Sequence, residues 1–428
     1  MRYIILSCIT LICLHTAAQG FLFPEFTQRH EKAVAAMESN SVLIMRSADA
    51  PIHDAIPTIE DANFLYMTGK EGALQYFLLS VEPIIISQKK YHSIFFTQPD
   101  AIINNGTFDT ILSISEFNNL LERVLKNSKC IYLSAPDLYF RPDWINKRMF
   151  YPWKEVIKKL KVRFPESEFK ESDALIAGLR EIKSDAEIRM IEKAIQITAE
   201  GLSNASAICK SGNTEYQLQA EIEYVMLKNH QNIPAFRSIV GSGINALEPH
   251  YQLNKDTLKK GELVVIDVGA RWNGYCADIT RTLPVDGIFS KKQAELYDSI
   301  LAIQERLIKM LRPGMEISAI DISARAMMNE KGWGKYLIHG VTHSLGLDVH
   351  DKMKSMILKE GMVITIEPGI YIPIDDEAWP EELRGTGIRI EDDVLITADS
   401  YRILSLPVPK SIKDIEHQMK ISNILKIH

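Results

Sequence analysis

The sequence predicts two domains of different class: a mixed α/β domain, followed by an α+β domain in which helices pack against a predominantly antiparallel sheet. The chain has 428 residues, which is too long for one typical hydrophobic core. Its first part alternates short apolar runs with turn signals, whereas its second part combines long amphipathic helices with strand pairs. The pattern of apolar residues changes from strand-like to helical near residue 170, which predicts domains over 20–170 and 171–428.

The composition is that of an ordinary globular protein, with 46% hydrophobic and 24% charged residues. A formal net charge of -6 argues against a nucleic-acid partner, since such proteins usually carry a basic face. Acidic and basic residues are interspersed, and no block of one sign suggests a charged interaction tail.

The N-terminus, MRYIILSCITLICLHTAAQG, has the layout of a cleavable secretory signal. Arg2 precedes an apolar run from Ile4 to Cys13, and the small residues Ala17 and Ala18 follow. The run is too short to span a bilayer, so we expect a signal over 1–19, cleavage about Ala18, and no stable membrane anchor. The protein is then exported, to the periplasm or the medium. The alternative is a buried N-terminal strand or helix.

Three cysteines, Cys130, Cys209 and Cys276, remain after removal of such a signal. Three thiols cannot all pair within one chain, and these lie far apart in sequence. We therefore expect no disulfide framework despite export.

In the first domain, five apolar runs predict strands, and one stretch has apolar residues at helical spacing. The predicted strands are SVLIM, FLYMTG, YFLLS, PIIIS and CIYLS, and the predicted helix is EFNNLLERVLKNS. In the second domain, Ser184 and Asp185 are expected to cap a long helix, and further helices are predicted over 291–311 and 318–331. The predicted strands there are ELVVIDVGA, YCADITRTLPV, MVITIEPGIYIP and TGIRIEDDVLITA.

Two aspartates occupy neighbouring strands in VVIDVGARWNGYCADITRT, on either side of the turn dipeptide Asn273-Gly274. A two-residue turn places Asp267 opposite Thr280, and a four-residue loop places it opposite Asp278. Side chains alternate along a strand, so either register puts both aspartates on one face. Two carboxylates on an apolar hairpin repel each other and lose hydration, which favours a bound cation over a chance pair near a turn.

Two glutamates and a histidine extend this acidic set. Glu367 ends the apolar strand before Pro-Gly, where it either caps a turn or points into a site. In GIRIEDDVLI, Glu391 shares a strand face with Arg389, which could be its counter-ion; a half-exposed edge strand is an equal alternative. His343 lies in HGVTHSLGLDVHD, four residues after His339, but the glutamate of the HExxH zinc motif is absent.

Four carboxylates and one imidazole make an oxygen-rich donor set without thiolates. Such a set suits Mn(II), Mg(II), Fe(II) or Co(II) better than structural zinc. Four negative charges also exceed what one divalent ion needs, which indicates two ions bridged by carboxylates.

The ordered motifs IDVGA-x7-D, HGxTH-x6-H, EPGxY and GIRIEDD resemble those of the pita-bread metallopeptidases, which include methionine aminopeptidase, prolidase, aminopeptidase P and creatinase. The resemblance covers 173–428. Less specifically, the first domain resembles that of the aminopeptidase P, prolidase and creatinase branch. It therefore implies a creatinase-like mixed α/β domain followed by a pita-bread catalytic domain.

The resemblance also implies roles for individual residues. It implies a site for two divalent ions, with Mn(II) expected ahead of Co(II), Fe(II) or Zn(II). The implied ligands of these ions are Asp267, Asp278, His343, Glu367 and Glu391. It implies catalytic roles for Glu367, which handles the proton of the attacking water, and for His250, His350 and His339. It places His339, Tyr371 and Arg389 around the proline side of the substrate pocket. His250 and His350 are suited to donate hydrogen bonds to the developing oxyanion.

Within the family, methionine aminopeptidase lacks the large first domain and creatinase lacks the ligand set. Thr342 precedes the ligand histidine, where aminopeptidase P usually has a small hydroxyl residue and prolidase usually has glycine. We therefore expect a di-metal Xaa-Pro aminopeptidase that acts on peptides with proline second. The resemblance also implies a homodimer or larger assembly. The alternatives are a prolidase, restricted to Xaa-Pro dipeptides, and a non-catalytic peptidase-like binding protein. The insertion Asp375–Leu383 could reshape the pocket rim.

Overall fold

The computed structural model describes residues 23–48, 60–71, 75–81, 91–98, 107–134, 152–229 and 234–425. Contacts divide the chain into two compact units that meet in sequence between Leu179 and Arg180, near the boundary at 170 that the sequence predicts. The predicted signal over 1–19 and the predicted strand PIIIS lie outside the described residues. No helix within these ranges is long and apolar enough to cross a membrane.

The described part of the N-terminal unit is built on a mixed sheet of six strands, in the order β4-β3-β2-β1-β5-β6. β2 pairs antiparallel with β1 and β3, and the other neighbours are parallel, so the predicted mixed α/β class is confirmed. The strands are β1 (Ser41–Arg46), β2 (Tyr76–Val81), β3 (Tyr91–Thr97), β4 (Thr110–Ser113), β5 (Cys130–Leu133) and β6 (Glu168–Glu171). The helices are α1 (Phe23–Ala36), α2 (Ala62–Thr68), α3 (Phe117–Asn127), α4 (Pro152–Arg163) and α5 (Asp173–Arg180).

The prediction of a strand over FLYMTG is wrong, because these residues form helix α2 and its C-cap. The Asp61 carboxylate accepts a hydrogen bond from the Phe64 amide at 2.8 Å and so caps the first turn. Gly69 ends the helix in the left-handed conformation, with φ of 62°. A six-residue apolar run does not itself distinguish a buried strand from a buried helix, and here the two caps determine the outcome.

The C-terminal unit, from Arg180 onward, begins with long helices, as the sequence predicts. Ser184 and Glu187 form a reciprocal capping box at the start of a 24-residue helix. Its inner face is apolar, and it packs against the following helix and against the hairpin described below. The helices are α6 (Asp185–Ile208), α7 (Glu215–Lys228), α8 (Lys291–Met310), α9 (Ser318–Glu330) and α10 (Ile412–Leu425).

The strands of this unit pair antiparallel throughout the described residues, and they form several small sheets rather than one large one. The central strand of one sheet, β8, lies between β7 and β11. The strands are β7 (Ile239–Ser242), β8 (Leu263–Val268), β9 (Arg271–Trp272), β10 (Tyr275–Cys276), β11 (Ile279–Pro284), β12 (Val363–Ile366), β13 (Gly369–Ile372), β14 (Thr386–Arg389), β15 (Asp392–Ile396) and β16 (Tyr401–Ile403). Helices on antiparallel sheets confirm the predicted α+β class.

Candidate active site

The β8–β11 hairpin adopts the two-residue register that the Asn-Gly dipeptide favours. Trp272 pairs with Tyr275, and Asn273 and Gly274 take positive φ angles of 48° and 85°. Further along the same register, Asp267 lies opposite Thr280, which makes Asp278 the diagonal neighbour of Asp267. Every residue of β8 is buried, so the hairpin brings both carboxylates into the protein interior.

All five predicted metal ligands line one cavity of about 1020 Å³. The same cavity is lined by His250, His339 and His350, which the resemblance to the family implies are catalytic, and by Arg389. Tyr371 does not line it; this buried tyrosine lies behind His339 and Arg389. Folding therefore brings together side chains that lie more than 140 positions apart in sequence, from His250 to Glu391.

His343 presents one nitrogen to the carboxylates. Its Nδ1 donates to the Ser344 carbonyl at 3.1 Å, which leaves Nε2 unprotonated in the neutral ring. Nε2 lies 3.4 Å from Asp278 Oδ2 and 3.5 Å from Glu367 Oε1. Potential ligand atoms of Asp278, His343 and Glu391 all lie within 4.8 Å of one another. One ion could therefore contact all three side chains.

The carboxylates of this set are difficult to ionise together without a cation. Burial, followed by the charge of Asp267, raises the pKa of Glu391 to about 8. Burial, followed by the charge of Glu391, raises the pKa of Asp278 and the pKa of Glu367 well above their ordinary values. Divalent cations would offset both the lost hydration and the mutual repulsion.

Arg389 pairs with Asp267 rather than directly with Glu391, the partner that its strand face suggested. Its Nη2 donates to Asp267 Oδ2 at 2.7 Å, and its Nε donates to the Thr280 hydroxyl at 3.1 Å. The same hydroxyl donates to Glu391 Oε2 at 2.7 Å. The other oxygen of Asp267, Oδ1, is buried without a hydrogen-bond partner. A buried, unpaired carboxylate oxygen at the cavity is what a metal ligand presents before the ion binds.

The orientation of the His339 ring is fixed by a chain of hydrogen bonds. Its Nδ1 donates to the Gly340 carbonyl at 2.7 Å, so Nε2 accepts from the Tyr371 hydroxyl at 2.8 Å. The Tyr371 hydroxyl in turn accepts from Arg389 Nη1 at 2.7 Å. Burial, then the charge of Arg389, lowers the pKa of His339 to about 4. The three residues predicted to form the proline side of the pocket are thus one connected group.

The other two histidines differ in their surroundings. The His350 ring lies over the His343 ring, with centroids 4.1 Å apart, and burial lowers the pKa of His350 below its ordinary value. His250 follows Pro249, whose carbonyl accepts from Arg389 Nη2 at 3.3 Å. Both histidines face the cavity, where their N–H groups can reach a bound substrate.

The sequence-based interpretation missed a buried ionic cluster behind the loop that connects His343 and His350, called the histidine loop below. The Asp351 carboxylate accepts from Arg180 and, at 2.9 Å, from Lys183 Nζ. The Asp351 amide also donates to the Ser344 carbonyl at 2.9 Å, which closes the loop between His343 and His350. Arg180 and Lys183 stand in LREIKS, a charged interruption of an apolar helical stretch, and this is the signal that could have identified them.

The insertion Asp375–Leu383 does not contribute to the cavity lining among the described residues. Its Asp376 carboxylate accepts from Lys335 Nζ at 2.9 Å and from the Tyr336 hydroxyl at 2.8 Å. Its Trp379 ring packs against the rings of Trp333 and Tyr336. The insertion therefore braces the segment just before His339.

Fold and site together define a metal-dependent enzyme with a carboxylate-rich centre in an α+β domain. The profile of metallopeptidase family M24 matches residues 189–398. The chain is 33% identical over 437 aligned residues to the Xaa-Pro aminopeptidase of Haemophilus influenzae, which covers 92% of this chain and 97% of the relative. It therefore belongs to metallopeptidase family M24, and the predicted family is confirmed.

Two further comparisons concern the choice within the family. The Xaa-Pro dipeptidase of Pyrococcus furiosus is 39% identical over 300 residues, covering 69% of this chain and 78% of that protein. The structure of Escherichia coli aminopeptidase P with the inhibitor Pro-Leu superposes with a TM-score of 0.81 at 29% identity, covering 95% of this chain and all of that one. The aminopeptidase P likeness thus spans both units.

Proposed function

We propose that the protein is an Xaa-Pro aminopeptidase, a metallo-exopeptidase that removes the N-terminal residue from peptides with proline in the second position. One observation carries the proposal: four carboxylates and one imidazole meet at a cavity that three further histidines line. The full-length likeness to an Xaa-Pro aminopeptidase supports the same activity, and the Xaa-Pro dipeptidase relative aligns over a smaller part of the chain.

Two divalent ions would be held by the five ligands, Asp267, Asp278, His343, Glu367 and Glu391. When bound, such ions polarise the scissile carbonyl and lower the pKa of the attacking water. The fit is supported by the raised pKa values of Asp278, Glu367 and Glu391 and by the unpaired Oδ1 of Asp267. The oxygen-rich set favours Mn(II), with Co(II), Fe(II) or Zn(II) as substitutes.

The remaining residues divide the proton transfers and the binding of substrate. Glu367 takes the proton of the attacking water, because its carboxylate lies between two histidines of the site, 3.5 Å from His343 Nε2 and 3.7 Å from His339 Nδ1. His250 and His350 donate hydrogen bonds to the carbonyl oxygen as negative charge develops there, and one of them delivers a proton to the leaving prolyl nitrogen. His339, fixed by Tyr371 and Arg389, forms a rigid wall for the proline ring.

A peptide panel tests this activity against the prolidase alternative. The purified protein is stripped of metal and supplied in turn with Mn(II), Co(II) and Zn(II), and release of the first residue from Arg-Pro-Pro and from Ala-Pro is measured. We expect cleavage of the tripeptide, fastest with Mn(II). Cleavage of the dipeptide alone would identify a prolidase. Absence of cleavage and of stoichiometric metal would identify a binding protein.

We also propose that the chain is exported after cleavage about Ala18 and assembles as a homodimer or larger oligomer. The charged, apolar and small-residue order of the first twenty residues supports export. N-terminal sequencing of the protein from its native cells, and analytical ultracentrifugation of the purified enzyme, would test these two statements. An intact Met1, or a monomer at micromolar concentration, would contradict them.

A further inference from the structure

Thr280 occupies a central position in the site that the proposed chemistry does not use. It is fully buried on β11, directly opposite Asp267. Its hydroxyl is in contact with two charged side chains: it lies 2.7 Å from Glu391 Oε2 and 3.1 Å from Arg389 Nε. Most side-chain hydrogen bonds in proteins go to backbone groups or water, whereas both partners of the Thr280 hydroxyl are charged side chains of the site.

The direction of both hydrogen bonds is fixed by the chemistry of the partners. A guanidinium has no acceptor, so the Thr280 oxygen accepts from Arg389 and its single hydrogen points to the Glu391 carboxylate. Arg389 also donates to Asp267 Oδ2 at 2.7 Å. The Thr280 hydroxyl therefore links Glu391 directly, and Asp267 through the Arg389 guanidinium, into one hydrogen-bonded chain. It also holds one oxygen of Glu391 in place.

We propose that Thr280 is a positioning residue that holds the Glu391 carboxylate in its metal-binding orientation. This inference rests on the proposed function, since it requires that Glu391 bind a divalent ion. Without the hydroxyl, Glu391 loses its neutral hydrogen-bond donor, and repulsion from Asp278 and Asp267 is free to rotate the carboxylate away. Groups that orient a metal ligand from behind typically contribute roughly 10- to 100-fold to metal affinity.

Thr282 supplies a matched control on the same strand. It is also fully buried and lies two positions further along, on the same face of β11. Its hydroxyl donates to the Arg389 carbonyl at 2.9 Å and accepts from the Arg389 amide at 3.1 Å, and it hydrogen-bonds to no carboxylate among the described residues. Valine matches threonine in shape at both positions, so the two substitutions differ in the lost partner alone.

The experiment compares metal-free wild-type protein with Thr280→Val, Thr280→Ser and Thr282→Val. Each is titrated with Mn(II) by isothermal calorimetry at one pH, and its folding is checked by circular dichroism. We expect Thr280→Val to weaken Mn(II) binding roughly 10- to 100-fold, Thr280→Ser to restore it, and Thr282→Val to bind as wild type even where its melting temperature falls. Should Thr280→Val not fold, Thr280→Ala removes the same hydroxyl, and the same loss is expected.

The possible results separate this inference from the proposed function. If wild-type protein binds no Mn(II), the proposed metal centre fails. If wild type binds and Thr280→Val binds equally well, the positioning role fails while the metal centre stands. Equal losses in Thr280→Val and Thr282→Val, or no rescue by Thr280→Ser, would show general disturbance of the strand and would also overturn the inference.

Discussion

At the scale of single residues, the site consists of charges that disfavour the metal-free fold. Glu391 has a pKa of about 8 in the folded protein, against an ordinary value of 4.5. The folded state therefore binds more protons than the unfolded state between pH 4.5 and 8. The contribution of Glu391 to stability falls across this range as the pH rises and the carboxylate must ionise in place.

Metal binding should consequently depend on pH. Because an ion must displace protons held by the buried carboxylates, Mn(II) affinity should rise from pH 6 to pH 8, and the gain in melting temperature on adding Mn(II) should be larger at pH 8. Calorimetry in two buffers with different heats of ionisation counts the protons released. Equal affinity at both pH values would contradict the prediction.

Replacement of Asp278 separates ligand loss from fold loss. Asp278→Asn keeps the shape but removes one of the clustered charges, so it should reduce peptide cleavage to background. The metal-free variant should melt at the wild-type temperature or above it, since repulsion is relieved. Its melting temperature should no longer respond to Mn(II). A variant that retains the Mn(II) response would show that Asp278 is not a ligand.

The residues predicted from sequence were those whose chemistry is visible in the residue type itself. The four carboxylates and the histidines line one cavity in the structure. Strand alternation and the order of the motifs were enough to predict this, because they determine which side chains share a face. The direct partner of Arg389, Asp267, was not predicted, because hydrogen-bond choice depends on distances between strands far apart in sequence. The charge of Arg389 still counteracts the rise in the pKa of Glu391, as the shared strand face suggested. The contacts of Thr280 were not predicted for the same reason, although the predicted two-residue register already placed this residue opposite Asp267.

At the scale of elements, the histidine loop is rigid because a buried ionic cluster closes it. Burial alone would raise the pKa of Asp351, but the charges of Lys183 and Arg180 outweigh burial and hold it below its ordinary value. Gly346 packs against this carboxylate so closely that a Cβ would lie 2.1 Å from Oδ2. The loop that carries His343 and His350 is thus fixed from behind.

Asp351→Asn should be strongly destabilising, since it leaves two buried cations without a full counter-charge. We expect a loss of about 3–5 kcal/mol in the free energy of unfolding of the catalytic unit. The control is Glu192→Gln, which breaks the more exposed pair with Arg402 and should cost about 1 kcal/mol or less. Urea unfolding followed by near-ultraviolet circular dichroism measures both. Similar costs for the two variants would contradict the assignment.

Element prediction succeeded where caps or turns were explicit in the sequence. The Ser184 cap and the Asn-Gly turn both appear where the sequence predicts them. It failed at α2, where an apolar run without clear periodicity was assigned to a strand. The Asp61 and Gly69 caps were the available signal there.

At the scale of the whole molecule, each unit contains buried groups that make its stability depend on pH. In the N-terminal unit, His30 is buried, its Nε2 donates to the Met67 carbonyl at 2.8 Å, and its ring stacks on Phe77. Burial lowers its pKa from 6.5 to about 4. In the metal-free C-terminal unit, Glu391 reduces stability as the pH rises, whereas His339 and His343, whose pKa values burial lowers to about 4, reduce it as the pH falls.

The sign for His30 follows from proton binding. Between pH 6.5 and 4 the unfolded state takes up a proton that the folded state does not. The contribution of the neutral His30 to the free energy of unfolding is therefore fully present above pH 6.5, and it falls by roughly 3 kcal/mol as the pH approaches 4. Hydrogen exchange with mass spectrometry, read peptide by peptide, should show β1 to β3 losing protection as the pH falls from 6.5 to 5. His30→Gln keeps an N–H donor for Met67 but cannot be protonated, so its N-terminal peptides should lose less protection between pH 6.5 and 5. An unchanged pH response in this variant would exclude His30 as the acid-sensitive group.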